Sequence, residues 1–83
     1  MSRWHVYLLR CADGTLYAGI SNDLSARLAA HNAGKGAKYT RSRLPVTVVW
    51  SQAMRSATAA RKKEAAVKQM TRLEKEDMLT SGS

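Results

Sequence analysis

The chain has 83 residues, enough for one domain and too few for two cores of ordinary size. Hydrophobic residues at 45% and charged residues at 24% exclude wholesale disorder. Fourteen lysines and arginines against six aspartates and glutamates give a net charge of +8. That excess is spread over both halves of the chain, so it belongs to the fold and suits a polyanion such as nucleic acid, whose counterions it would release.

The single cysteine, Cys11, excludes an internal disulfide and any multi-cysteine zinc site. No apolar run approaches the ~18 residues of a membrane span, and Trp4 to Leu9 is too short, and too soon followed by Arg10, to be an export signal. No segment is both strongly amphipathic and aromatic on one face, which sets a membrane surface aside. The expected compartment is the cytoplasm.

In chain order, residues 4–11 are β-branched and aromatic enough for a strand, Ala12-Asp13-Gly14 is a turn, and residues 15–20 return as a second strand. Loop length decides which side chains share a face. A two-residue Asp-Gly loop would pair Tyr7 with Ile20 and put Tyr7 and Tyr17 on opposite faces. A three-residue loop, with Gly14 in the left-handed conformation, pairs Leu9 with Tyr17 and Tyr7 with Gly19. The second register collects Val6, Leu8, Leu16, Ala18 and Ile20 on one apolar face and sets the bulky Tyr7 opposite a residue without a side chain. It leaves His5, Tyr7 and Tyr17 on a polar face.

Ser21 and Asn22 suit the N-cap of a helix over residues 23–31, ended by Asn32 to Gly36. Leu24 and Leu28 mark its buried stripe; Asp23, Arg27 and His31 form another at four-residue steps. Residues 34–45 read as an ordered basic loop and Val46 to Gln52 as a third strand. Ser56 caps a long helix to Met70, after which Thr71 and Glu74 fit a capping box for a last helix to about Leu79. The order β-β-α-β-α-α gives an α+β fold, a three-stranded antiparallel sheet flanked by helices, with residues 1–80 as one domain and 81–83 as a frayed tail. Trp4 and Trp50 are assigned to the core, and His5 to a structural role.

Between Asp23 and Glu74 the only carboxylate is Glu64, set among cations. On the helical wheel it follows Ala57 and Ala60 and precedes Val67, at the edge of the apolar arc. It can pair with Lys68 four residues on, or hold a divalent cation that keeps several waters and takes its other ligands from phosphate. Lys35, Lys38, Arg41 and Arg43 interleave with Tyr39, a pattern suited either to tracking a nucleic-acid backbone and stacking a base or to a solvated loop. Arg61-Lys62-Lys63 reads as a solvated helix face.

These residues resemble the GIY-YIG nucleases. His5-Val6-Tyr7 stands where the family has Gly-Ile-Tyr, Tyr17-Ala18-Gly19 where it has Tyr-Ile-Gly, Arg27 where its helix carries an arginine, and Glu64 where a later helix carries the metal-binding glutamate. The stretch Gly36-Ala37-Lys38-Tyr39-Thr40 and the length look like the small stand-alone bacterial members, and the resemblance covers roughly residues 4–75. His5 for glycine and Ala18 for isoleucine depart from the pattern and leave both tyrosines intact. The asparagine that follows the metal glutamate in larger members has no counterpart beyond Asn32, which points to weak catalysis.

The resemblance implies hydrolysis of a phosphodiester with one magnesium (or manganese) ion per site. It makes Glu64 the metal ligand, Arg27 the phosphate clamp, Tyr7 the general base or water-positioning group and Tyr17 an orienting group, with Gly19 as a structural motif residue. His31 then relays a proton, or else is a dipole partner at the helix C-terminus. Tyr17 can equally be a half-buried strand aromatic. The implied partner is nucleic acid, DNA ahead of RNA and structured or damaged DNA in particular, with room for a targeting protein. A nucleic-acid-binding module that kept the scaffold and cuts poorly is the alternative.

Overall fold

A computed structural model of the chain describes residues 3–81. Its elements are β1 (Trp4–Arg10), β2 (Leu16–Ser21), α1 (Leu24–Asn32), α2 (Lys38–Arg41), β3 (Thr47–Met54), α3 (Ala57–Lys68) and α4 (Arg72–Ser81). The strands form one antiparallel sheet in the order β2-β1-β3, so the chain is α+β, as the sequence predicts. No helix among the described residues is long and apolar enough to cross a membrane.

The first hairpin adopts the three-residue loop. Gly14 has φ +86°, its amide donates to the Cys11 carbonyl at 2.9 Å, and the Cys11 amide donates to the Thr15 carbonyl at 2.8 Å. Tyr7 therefore faces Gly19 and Leu9 faces Tyr17. A bulge in the β1–β3 pairing follows, since Leu8 pairs with Trp50 but Leu9 with Val48, leaving Val49 as the extra residue. It turns Val48 to one face of the sheet while Val49 and Trp50 serve the other.

Two cores result. On one face Val6, Leu8 and Ala18 pack with Ala60 and Val67 of α3, and Trp4, Ile20, Trp50, Met54, Met78 and Leu79 close around them. On the other, Tyr7, Leu9, Cys11 and Val46 are buried under Leu24 and Leu28 of α1, with Tyr17, Leu44 and Val48. The face expected to be polar is thus a second core. Leu9 in β1 and Cys11 just beyond its end alternate with Tyr7, and their burial needs the cover that α1 supplies.

The caps refine the expected boundaries. The cap of α1 is Asp23, which accepts from the Ala26 amide at 3.1 Å, while Ser21 Oγ holds the Asp23 amide at 2.9 Å. This displaces Ser21 and Asn22 from the cap, because a carboxylate one residue nearer the helix reaches its third amide, and the helix runs through Asn32 before the Ala33 cap. The Asn32 side chain then donates to the Val46 carbonyl at 3.0 Å and accepts from the Val46 amide at 2.8 Å, pinning α1 to the start of β3. Residues 38–41 of the expected loop form a single helical turn, α2. Ser56 caps α3 as expected, although the helix stops at Lys68, before Met70. Thr71 and Glu74 form the reciprocal capping box, at 2.8 and 3.1 Å. Ser81 belongs to α4; residues 82 and 83 of the expected tail lie outside the described residues.

Candidate functional site

The site begins with a missing side chain. A Cβ on Gly19 would stand 2.5 Å from Tyr7 Oη and 2.7 Å from its Cζ, so only glycine lets the Tyr7 phenol lie over β2, the edge strand. Tyr17, two residues earlier, projects from the same face. Both rings meet one imidazole edge-on, Tyr7 at 6.3 Å and Tyr17 at 5.7 Å from the His31 ring centroid.

His31 reaches that point because α1 lies over this face of the sheet and carries Arg27 one turn before it. The imidazole is fully buried. Its Nε2 lies 3.4 Å from Tyr7 Oη and its Nδ1 2.8 Å from Thr40 Oγ1, while the Thr40 hydroxyl donates to the Ala37 carbonyl at 2.9 Å. Burial, then the positive charge of Arg27, pushes the His31 pKa below its usual value, so the ring is neutral at neutral pH. Burial raises the Tyr7 phenol above its usual value, against the hydrogen bond and charge of Arg27, with Tyr17 and Glu64 adding to the rise.

Glu64 comes from the other face. It lies between the buried Ala60 and Val67 on α3, its side chain is only 22% exposed, and its charge is felt at Tyr7. Lys68 Nζ pairs with its Oε2 at 3.3 Å. Two phenols and an imidazole therefore gather on one side of the sheet beside Gly19, Arg27 stands one helical turn before that imidazole, and Glu64 on the other side is near enough for its charge to reach Tyr7. Among the described residues no three His, Cys, Asp or Glu gather as a metal cage. A lone carboxylate does not suit zinc; it suits a hard, hydrated divalent cation that completes its shell with water and phosphate.

The basic segment divides in two. Tyr39 stacks on Tyr17 at 5.8 Å and 22°, and the Arg43 guanidinium lies 4.0 Å over the Tyr39 ring. Arg43 also binds Asp13 at 3.0 Å and the Tyr39 carbonyl at 2.7 Å. Hydrogen bonds from Thr15, with Arg43 adding, hold the Asp13 carboxyl below the usual carboxylate range. Tyr39, itself exposed, thus buttresses Tyr17 and is held in turn by Arg43. Lys35, Lys38 and Arg41 are exposed and enter none of the ion pairs among the described residues. A cavity of about 500 Å³ lined by Arg3, His5, Asn22, Asp23, Leu24 and Ser25 opens beside the start of α1.

Sequence reasoning missed Thr40 and Gly36. Thr40 is a fully buried hydroxyl inside an otherwise basic stretch, and a Cβ on Gly36 would stand 2.2 Å from His31 Nδ1. Glycine in the sequence hinted at a close approach there, but nothing local names the imidazole as the group approached.

The family model described as GIY-YIG catalytic domain matches residues 3–77. The chain belongs to the GIY-YIG family. Membership puts it in a superfamily of nucleases, whose substrate class is nucleic acid. This GIY-YIG chain is 53% identical over 68 residues to the UPF0213 protein SAG0778 of Streptococcus agalactiae, an alignment covering 82% of this chain and 77% of that protein. It is 47% identical to the UPF0213 protein VNG_2274C of Halobacterium salinarum, covering 87% and 94%. Two solution NMR structures resemble it: the UPF0213 protein BH0048 of Bacillus halodurans, at 40% identity, TM-score 0.61 and coverage of 94% and 83%, and EF2693 of E. faecalis, at 38%, 0.63, and 98% and 85%.

Proposed function

We propose that this GIY-YIG domain is an endonuclease that hydrolyses phosphodiester bonds in DNA, structured or damaged DNA in particular, with one magnesium or manganese ion per site. The reading is supported by the Tyr7–Tyr17–His31 cluster beside Gly19, together with the charges of Arg27 and Glu64 that reach Tyr7, since a surface that only attracts phosphate has no use for the isolated acid. Glu64 would hold the cation, which when bound supplies Lewis-acid neutralisation of charge developing on the phosphate.

The remaining work falls to the chain's own groups. Arg27 is a planar, permanently charged fork that can hold a phosphate oxygen while its charge acts on the Tyr7 phenol. With its pKa raised by burial, Tyr7 stays protonated at neutral pH, so it serves as a relay. Its oxygen accepts a proton from the attacking water as its own passes to His31 Nε2. At 3.4 Å that contact is long for a hydrogen bond and would tighten with substrate bound. Tyr17, propped by Tyr39, orients water or phosphate, and Lys35, Lys38 and Arg41 attract the backbone.

The Glu64–Lys68 ion pair favours the second reading, a nucleic-acid-binding module with little activity, because it occupies one carboxylate oxygen. Labelled linear, nicked, branched and single-stranded DNA, and RNA, incubated with magnesium or with chelator, separate the two. The nuclease reading expects metal-dependent cleavage of at least one DNA form. Loss of a charge-assisted hydrogen bond worth about 1.5–3 kcal/mol should slow Arg27→Ala by about ten- to a hundredfold. Tight binding without cleavage under every metal condition would leave only the binding module.

A further inference from the structure

We infer that Thr40 is a positioning residue that fixes the tautomer of His31, keeping the proton on Nδ1 and aiming a bare Nε2 at Tyr7. The inference rests on the nuclease reading for its consequence but not for its geometry.

Two ends of one hydrogen-bond chain demand the same tautomer. At the far end, the Thr40 hydroxyl has one proton, and it goes to the Ala37 carbonyl at 2.9 Å. Toward His31 Nδ1, 2.8 Å away, Thr40 Oγ1 can then only accept, so Nδ1 carries a hydrogen. At the near end Arg27, whose charge acts on the phenol, has no lone pair to offer, so the phenol proton needs another acceptor. His31 Nε2 at 3.4 Å is that acceptor. The chain runs in one direction, from Tyr7 O–H to Nε2, from Nδ1–H to Thr40, and from Thr40 O–H to the Ala37 carbonyl. With the other tautomer, Nε2–H would point at the phenol and the Tyr7 proton would be left without this partner.

Gly36 closes the clamp. Its backbone lies against the ring so closely that a Cβ there would collide with Nδ1 and Cγ, so only glycine lets this segment pack on the Nδ1 edge. The segment between α1 and β3 therefore holds the imidazole from the Nδ1 side while Tyr7 addresses it from the Nε2 side. When the phenol gives up its proton, Nε2 gains one, Nδ1–H stays in place, and the resulting imidazolium already has its second donor satisfied by Thr40.

The test reads the tautomer without any substrate. Long-range ¹H–¹⁵N correlations of the His31 ring at neutral pH should show Nδ1 protonated and Nε2 bare in the wild-type protein. In Thr40→Val, which keeps the shape and removes the hydroxyl, the Nδ1–H pattern should give way to Nε2–H or a mixture, and Thr40→Ser should restore it. Cleavage should fall about ten- to a hundredfold in Thr40→Val at unchanged KM and recover in Thr40→Ser. An Nε2–H ring in the wild type, or an Nδ1–H pattern that persists in Thr40→Val, overturns the inference. A wild-type protein that shows the Nδ1–H ring yet cuts nothing would count against the nuclease reading alone.

Discussion

A methyl group at position 19 has nowhere to go, because its carbon would fall 2.5 Å from the Tyr7 oxygen. Gly19→Ala should leave the sheet intact by circular dichroism while moving the Tyr7 ring, and a displacement near 1 Å should cost about a hundredfold in cleavage rate. Unchanged cleavage would show that the phenol does not work from that place. His31 makes a second prediction, in pH. Its folded pKa lies below the unfolded value of about 6.5, so between the two the unfolded state binds more protons. Stability contributed by the neutral ring is therefore full above the unfolded value and is lost as pH falls through that window. Urea unfolding at a series of pH values should show wild type losing more stability on acidification than His31→Gln. Parallel losses would mean that the imidazole is not held neutral.

At the scale of elements, most of the site's frame was legible in the sequence, and the reason is parity. One choice of loop length decides the face of every residue in the hairpin, and the pair Tyr7 with Gly19 makes sense in one register only. The second core is not legible from the hairpin alone, although Leu9 and Cys11 signal it, because His5, Tyr7 and Tyr17 carry polar atoms and the cover over two of those rings comes from α1. Thr40 was out of reach for another reason, since its tie to His31 spans nine residues and depends on a helical turn of only four. These assignments carry stability predictions. Leu8→Ala, at a fully buried position of the α3-side core, should cost about 2–5 kcal/mol. Asn32→Ala strips both bonds from Val46 and should cost about 1–3 kcal/mol in chemical denaturation. A loss below 0.5 kcal/mol, about the effect of an ordinary surface change, would mean that the Asn32 tie does not hold α1 to β3.

Over the whole molecule, the charge of +8 divides into cations engaged within the protein and exposed cations that enter none of the ion pairs among the described residues. Arg43 is bound to Asp13 and Tyr39, and Arg72 joins Glu76 at 2.8 Å and the Gly14 carbonyl at 2.9 Å, tying α4 back to the first hairpin. Lys35, Lys38 and Arg41 belong to the second group. Replacing those three with alanine should weaken DNA binding and lower the salt slope by about 2 to 3, at about 0.9 per phosphate released. Arg43→Ala should instead reduce thermal stability with little change in slope. A slope unmoved by the triple replacement would put the nucleic-acid track elsewhere on the surface.

The most direct measurement replaces one oxygen of the isolated acid. Wild type and Glu64→Gln should be compared on the best-cleaved DNA, following initial rates in magnesium and equilibrium binding in chelator. Cleavage that disappears in Glu64→Gln while affinity stays the same or rises is the expected result. Equal cleavage by the two proteins would contradict it and return Glu64 to the role of a partner for Lys68.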